Sequence, residues 1–192
     1  MKIRKLCTVL VFLAWVSNAS AVTETEGQVT LYPPRATGTY SEGNACFSFK
    51  AGALKKHANG QWDLGYGFAN IGGNDWFILW SAPQTRSVIK DLGELKWTDS
   101  FTVPVLQPLP KIREGETRHI TVDASAKTGK QWEQTTNIMA KVVVGHMYLV
   151  RVKDPRSDFY VLFRVEDFKQ GEHCTITWKR TAMPRPRRAE PA

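Results

Sequence analysis

The sequence contains little cysteine and, beyond its first residues, no long hydrophobic run. Three cysteines stand far apart among 192 residues, which excludes a small scaffold held together by several disulfides. The one long apolar run, Leu6 to Val16, is too short to cross about 30 Å of hydrocarbon as a helix. Because 42% of the residues are apolar and only 23% are charged, a wholly disordered chain is excluded as well. At roughly 100 to 200 residues per domain, we expect one domain with a hydrophobic core and no transmembrane segment.

Specific catalytic and cofactor motifs are absent too. The sequence has no GxSxG element, no HExxH pair and no EF-hand loop, so the signatures of several hydrolase, zinc and calcium families are missing. His119, Thr121 and Asp123 share one face of a predicted strand, where they could act as a base and its orienting carboxylate. Strand alternation alone also places them together. We therefore favour an ordinary solvent-facing strand and a protein that is not an enzyme.

The first 21 residues have the three parts of a secretory signal peptide. Residues 1–5 are positively charged, residues 6–16 are apolar, and Ala19-Ser20-Ala21 is a small-x-small cleavage site. Cys7 lies inside the apolar part rather than at its end, so we expect no lipid attachment there. We predict cleavage after Ala21, a single folded domain over residues 22–179, and a secreted or periplasmic location.

The positive charge is concentrated at the two ends of the chain. Removing Lys2, Arg4 and Lys5 lowers the net charge from +8 to +5. Residues 180–192 carry four arginines against one glutamate, which leaves only +2 on residues 22–179. A nucleic-acid-binding domain usually carries clustered Lys and Arg on its folded body, so we expect no nucleic-acid partner. The Pro- and Arg-rich residues 180–192 are predicted to form a loose tail.

Two cysteines, Cys46 and Cys174, remain after signal removal. In an oxidising compartment we expect them to form a disulfide, which would stabilise the fold by about 4 to 5 kcal/mol in the chain-entropy model. One observation opposes the bond. Cys174 alternates with Trp178 on an apolar face, whereas Cys46 lies on the face opposite Phe47. Two thiols or a metal pair are the alternatives.

Period-two alternation of apolar and polar residues predicts strands through most of the sequence. The candidate strands cover residues 45–50, 61–69, 76–80, 87–92, 118–123, 148–153, 159–165 and 174–178. Short turns join the last three, which therefore form an antiparallel meander. Only residues 125–141 leave room for a helix, with one or two turns around Trp132 to Ala140. We predict an all-β fold, an antiparallel β-sandwich or a flattened barrel with a C-terminal three-stranded meander.

Four side chains are candidates for ligand contacts. Trp97 and Trp132 stand among polar residues, and an exposed tryptophan on a β-scaffold can stack on a sugar ring or anchor a protein partner. Each could equally fold back and cover a sheet edge. Asp154 and Asp158 flank a turn, where two carboxylates could share a calcium ion with backbone oxygens. Aspartate also favours such turns without an ion, and we prefer that interpretation.

Two stretches of the sequence carry a family resemblance. The segment Gln61-Trp62-Asp63-Leu64-Gly65-Tyr66, followed by a glycine-rich hairpin, is similar to the WDL segment of HmuY-like haem-binding proteins of bacterial envelopes. Residues 145–152, with the strand 159–165, look like the closing meander of that family. The resemblance covers about a third of the chain. It implies an all-β envelope protein that captures haem with two axial histidines, for which His146 and His119 are the residues to test.

The function that the sequence favours is that of an exported, non-catalytic binding protein. Its ligand would be a cell-surface polymer or a protein partner, and no cofactor is required. A haem-binding HmuY-like protein is one alternative. A secreted hydrolase with an unrecognised site is another.

Overall fold

The computed structural model describes residues 25–34, 44–67, 76–80, 84–111 and 138–184. These residues form two five-stranded antiparallel sheets. In chain order the strands are β1 (Glu26–Leu31), β2 (Cys46–Ser48), β3 (Ala53–Lys55), β4 (Leu64–Tyr66), β5 (Trp76–Leu79), β6 (Val88–Glu94), β7 (Met139–Lys141), β8 (His146–Asp154), β9 (Ser157–Lys169) and β10 (His173–Thr181). Each sheet ends in two edge strands rather than closing on itself. The predicted all-β antiparallel fold is confirmed, and it is a sandwich rather than a barrel.

The large sheet has the strand order β1-β10-β9-β8-β6 and contains the predicted meander. Its three long strands pair in register, with Tyr148 of β8 opposite Phe163 of β9, and Phe163 opposite Trp178 of β10. Alternation of apolar and polar residues over nine to thirteen residues fixes this register, because a slip by one residue would turn every core side chain outward. The meander is therefore confirmed in both its pairing and its faces.

The small sheet has the strand order β3-β2-β4-β5-β7. Its strands are only three or four residues long, so their pairing provides few hydrogen bonds and packing against the large sheet must hold them. Phe77 of β5 provides much of that packing, since its ring lies edge-on to Phe163 at 5.0 Å and to Tyr148 at 5.3 Å. Phe49, just after β2, stacks on Phe163 at 6.0 Å.

A second, smaller cluster covers the outer face of the large sheet. Met147, Leu149, Tyr160 and Leu162 are buried there beneath apolar side chains of residues 92–106. We call residues 95–109 the strap; they form no helix or strand. Arg151 donates a hydrogen bond to the carbonyl of Leu106 at 2.8 Å, and Arg164 donates one to the carbonyl of Leu95 at 2.9 Å. The strap, which contains Pro104 and Pro108, therefore covers one face of the large sheet.

Three expectations about elements need correction. The helical turns predicted around residues 132–140 overlap a strand, because β7 begins at Met139; residues 132–137 lie outside the described part of the chain. Strand β1 was not expected from the polar residues 26–31, and it forms because β10 offers an edge along its whole length. The folded domain also extends past residue 179, since Arg180 donates hydrogen bonds to the carbonyls of Phe49 and Lys50, each at 2.9 Å.

The two cysteines do not form the predicted disulfide in this structure. Cys174 of β10 lies in the core between the sheets, as does Phe47 of β2. Neighbouring residues on a strand point to opposite faces, so Cys46 beside Phe47 is directed away from Cys174. Burial raises the pKa of the Cys46 thiol to about 12, which disfavours its reactive thiolate form. The strand alternation that argued against a disulfide in the sequence therefore also separates the two thiols in the fold.

Candidate functional site

A groove of about 630 Å³ lies where strands of both sheets end. Its volume is in the range of small-molecule binding clefts. Five chain segments line it: the turn after β2, the end of β3, the loop before β4, the connection from β5 to β6, and the tip of the β8–β9 hairpin. The described lining residues are Ser48, Lys50, Ala51, Lys55, Gly60, Gln61, Trp62, Asp63, Trp80, Gln84, Thr85, Ser87, Val152, Asp154, Pro155 and Arg156.

Two tryptophans form the aromatic wall of the groove. The rings of Trp62 and Trp80 meet edge to face at 5.1 Å, and His57 packs against both. Trp62 is almost fully buried, with 5% of its surface exposed, and its Nε1 donates to the carbonyl of His57 at 3.2 Å. Trp80 is only half-buried. Trp80 is therefore the ring with free surface for a ligand, and Trp62 and His57 support it from the side.

A glycine allows this wall to form. Gly60 follows the 3-10 turn at His57–Asn59 with a φ of +57°, a left-handed conformation that side chains rarely adopt. A Cβ atom on this residue would lie 2.9 Å from Cζ2 of Trp80. The absence of a side chain at Gly60 thus permits both the turn and the close approach of the indole.

Two aspartates lie in the groove, and both support turns. Asp63 Oδ2 accepts hydrogen bonds from Ser48 Oγ at 3.1 Å and from the backbone N–H of Lys50 at 3.2 Å. Burial raises the pKa of Asp63 above its usual range, although these hydrogen bonds act in the opposite direction, and the charge of Asp154 raises it further. Asp154 Oδ1 accepts from the backbone N–H of Arg156 at 2.6 Å. The carboxylates hold the β2–β3 turn and the hairpin tip in place.

Three basic side chains complete the lining. Lys50 and Arg156 are exposed at the edge of the groove, and Lys55 is half-buried. Lys50 Nζ donates to Ser157 Oγ at 2.8 Å, which holds this ammonium group beside the hairpin. None of the three forms an ion pair with any carboxylate in the described part of the chain. The groove therefore offers unneutralised cations at its edge.

The tryptophan candidate Trp97 lies in the strap and not in the groove. It packs half-buried against the outer cluster, and Lys179 Nζ sits 4.5 Å above its ring. Its Nε1 is 3.4 Å from Glu166 Oε1. These contacts agree with the alternative that Trp97 covers a sheet face. Trp132 and His119, two further candidates for ligand contacts, lie outside the described residues.

His146, the remaining histidine candidate, begins β8, which lies between β9 and the edge strand β6. Its Nδ1 lies 3.0 Å from Asp91 Oδ2 and 3.1 Å from Oδ1. His146 does not line the groove.

The aspartates considered for calcium do not converge. In the β8–β9 hairpin Asp158 pairs with Lys153, and Asp154 pairs with Ser157, so the two carboxylates point to opposite faces. Asp158 accepts two hydrogen bonds from Arg151 and one from Lys153. These bonds hold its pKa at about 2. No group of three His, Cys, Asp or Glu side chains suited to a metal is found among the residues that the structure describes.

Of the groove residues, the sequence singled out Asp154 as a calcium candidate and Gln61, Trp62 and Asp63 as part of the HmuY-like segment, but it did not bring them together in one site. Trp62 and Trp80 alternate with aliphatic residues, and this pattern correctly indicates burial but gives no sign of a shared wall. The pair Trp62-Asp63, just before the short strand β4, was the sign in the sequence that could have pointed to the groove. Nothing in the spacing connects this pair to Arg156, which only the fold brings nearby.

We compared the chain with protein-family models, curated proteins and solved structures. None matches. Among the described residues, the structure contains no helix of the length and apolar character needed to cross a membrane.

Proposed function

We propose that this chain is an exported, non-catalytic binding protein that holds part of a cell-surface polymer, a glycan chain, in the groove. The observation that carries the proposal is the combination of a half-buried tryptophan, Trp80, with hydroxyl, amide and charged side chains in one open cleft of about 630 Å³. A signal-like N-terminus supports export.

The chemistry of sugars fits this lining. One face of a pyranose ring is largely C–H and stacks on an indole, while its hydroxyl groups need hydrogen-bond partners around the ring edge. Trp80 supplies the stacking surface. Gln61 and Gln84, both exposed in the groove, can each donate and accept hydrogen bonds. An open cleft, rather than a closed cavity, also admits the middle of a polymer.

Binding measurements on a matched tryptophan pair test the proposal. The full chain is purified from an exporting host, where its intact mass shows whether residues 1–21 have been removed. Calorimetry with a panel of soluble oligosaccharides should identify a ligand.

Trp80→Ala should weaken the binding of that oligosaccharide by about tenfold or more, since one lost stacking contact of about 1.4 kcal/mol has that effect. Trp97→Ala removes the same side chain from the strap and should leave affinity unchanged. Loss of binding in Trp97→Ala alone would contradict the groove as the site.

Haem capture is a second candidate, supported by the environment of His146. A carboxylate on Nδ1 of a histidine orients the ring, as at many metal-ligating histidines, and Asp91 occupies that position. A haemin titration tests this function by its Soret band. His146→Ala should abolish the band if His146 is an axial ligand. His173→Ala is the control, because His173 also pairs with an aspartate, Asp167 at 2.8 Å.

A further inference from the structure

We propose that the groove selects acidic glycans, in which carboxylates on the sugar units bind the basic edge while a ring stacks on Trp80. This inference rests on the proposed function and narrows its ligand class. It is carried by Lys50, Lys55 and Arg156, which line one groove and have no carboxylate partner among the described residues.

The lack of partners distinguishes these cations from basic residues nearby. Arg151 and Lys153 lie on the same hairpin as Arg156, and both are paired with Asp158. Lys50, Lys55 and Arg156 form no such ion pair with the described residues, so their charges are not used to hold the hairpin together. Surface lysines are common, but three cations that share one cleft with a stacking ring form an arrangement suited to anions. Lys50 is also held in position by Ser157, which reduces the rotamer entropy lost on binding.

The two aspartates of the groove do not cancel this preference. Asp63 directs Oδ2 to donors of the β2–β3 turn, and Asp154 accepts a backbone N–H at the hairpin tip. The carboxylates are thus turned toward the protein backbone, whereas Lys50 and Arg156 extend into solvent.

Uronic-acid units fit the groove better than simple anions do. Arginine binds a carboxylate through two parallel hydrogen bonds, and lysine binds it as a point charge. A uronate carries its carboxylate on the ring that stacks, so one sugar unit can satisfy Trp80 and a basic side chain together. The net charge of +5 that remains after removal of Lys2, Arg4 and Lys5 would also increase the rate of encounter with a polyanion at low salt.

A charged and a neutral form of one polymer test the inference. Oligogalacturonate and its methyl ester have the same rings and differ in the charge on the carboxyl group. We expect oligogalacturonate to bind at least about tenfold more tightly than the methyl ester. We expect this preference to shrink as salt rises from low concentration to about 0.15 M. Calorimetry with the full chain measures both values, and oligomannuronate serves as a second acidic probe.

Charge-matched variants locate the effect. Lys50→Gln with Arg156→Gln should weaken oligogalacturonate binding by about tenfold, while Lys90→Gln with Lys96→Gln, which removes two exposed cations outside the groove, should change it less than about twofold. An equal loss in both double variants would show a diffuse charge effect and overturn the inference.

The failures of the two proposals are distinguishable. Equal binding of the ester and the acid, with both lost in Trp80→Ala, would leave glycan binding intact and overturn the acidic preference. No binding of any oligosaccharide by protein that melts cooperatively would overturn both.

Discussion

The Asp158 carboxylate binds two basic side chains at the same time. Arg151 donates to its two oxygens from Nε and Nη2, each at 2.9 Å, and Lys153 donates at 2.7 Å. The bidentate geometry makes this pair stronger than an ordinary surface ion pair. Because Arg151 also binds the carbonyl of Leu106, the same carboxylate orients the group that anchors the strap.

The shifted pKa of Asp158 predicts how stability depends on pH. Its folded-state pKa is lowered from 3.8 to about 2, so the stabilisation is present above pH 3.8 and is lost as pH falls toward 2. After allowing for solvent screening, Asp158→Asn should cost about 1 kcal/mol at pH 7 and much less near pH 2. Urea denaturation at both pH values measures the difference. Glu172→Gln, which breaks an exposed pair with Lys169, is the control; an equal and pH-independent cost in both variants would contradict the prediction.

Gly60 gives a second prediction at the scale of one residue. Gly60→Ala forces a side chain into a φ of +57° and against Trp80, so it should destabilise the fold by more than about 1 kcal/mol and weaken glycan binding. Gly171→Ala is the matched control, since its φ is +71° but nothing lies within 4 Å of the added Cβ. Backbone strain should lower the melting temperature of both variants. Displacement of the Trp80 indole should occur only in Gly60→Ala, where calorimetry would detect it as weaker glycan binding. Intact glycan affinity in Gly60→Ala would argue against the position of Trp80 as a binding determinant.

Among the elements, β9 joins the two hydrophobic clusters. Its inward residues Val161, Phe163 and Val165 lie in the core between the sheets. Its outward residues Tyr160 and Leu162 lie beneath the strap. Strand β9 is thus buried on both faces for most of its length. In many antiparallel sheets one face is solvated instead.

Substitutions at two adjacent residues of β9 test the two faces. Phe163→Ala removes a fully buried ring that stacks on Tyr148 at 4.9 Å and should cost about 3 to 5 kcal/mol. Arg164→Ala removes the hydrogen bond to Leu95 and the pair with Glu166, and should cost about 1 to 2 kcal/mol. The cost expected for Arg164→Ala exceeds that of an ordinary surface substitution, because Arg164 binds the carbonyl of Leu95 in the strap. Chemical denaturation of both variants supplies the measurement, and a larger loss from Arg164→Ala would reverse the assignment of faces.

The meander could be predicted from sequence because its information is local. Strands β8, β9 and β10 follow one another with short turns, so alternation alone defines both their pairing and their core faces. The strap could not be predicted in this way, because its apolar residues have no period. The groove depends on segments from Ser48 to Arg156, and their meeting is a property of the sandwich that no single segment encodes.

At the scale of the whole molecule, the two sheets have different roles. The large sheet provides the long strands and contributes residues to both hydrophobic clusters. The small sheet has short strands and supplies, with its turns, much of the groove lining: Lys50, Lys55, Trp62 and Trp80 all belong to it or to its connections. Binding residues thus lie on loops and short strands that a rigid scaffold positions.

The pairing of β1 with β10 has a consequence for the order in which the molecule can be made. Six residue pairs, from Glu26 with Lys179 to Leu31 with Cys174, join the first strand to the last. During synthesis, β1 emerges early and has no partner until β10 has followed, so the large sheet cannot be completed on a partly made chain. The strand that is made first is therefore fixed in place last, and its six residues gain their partners only when the C-terminal strand is present.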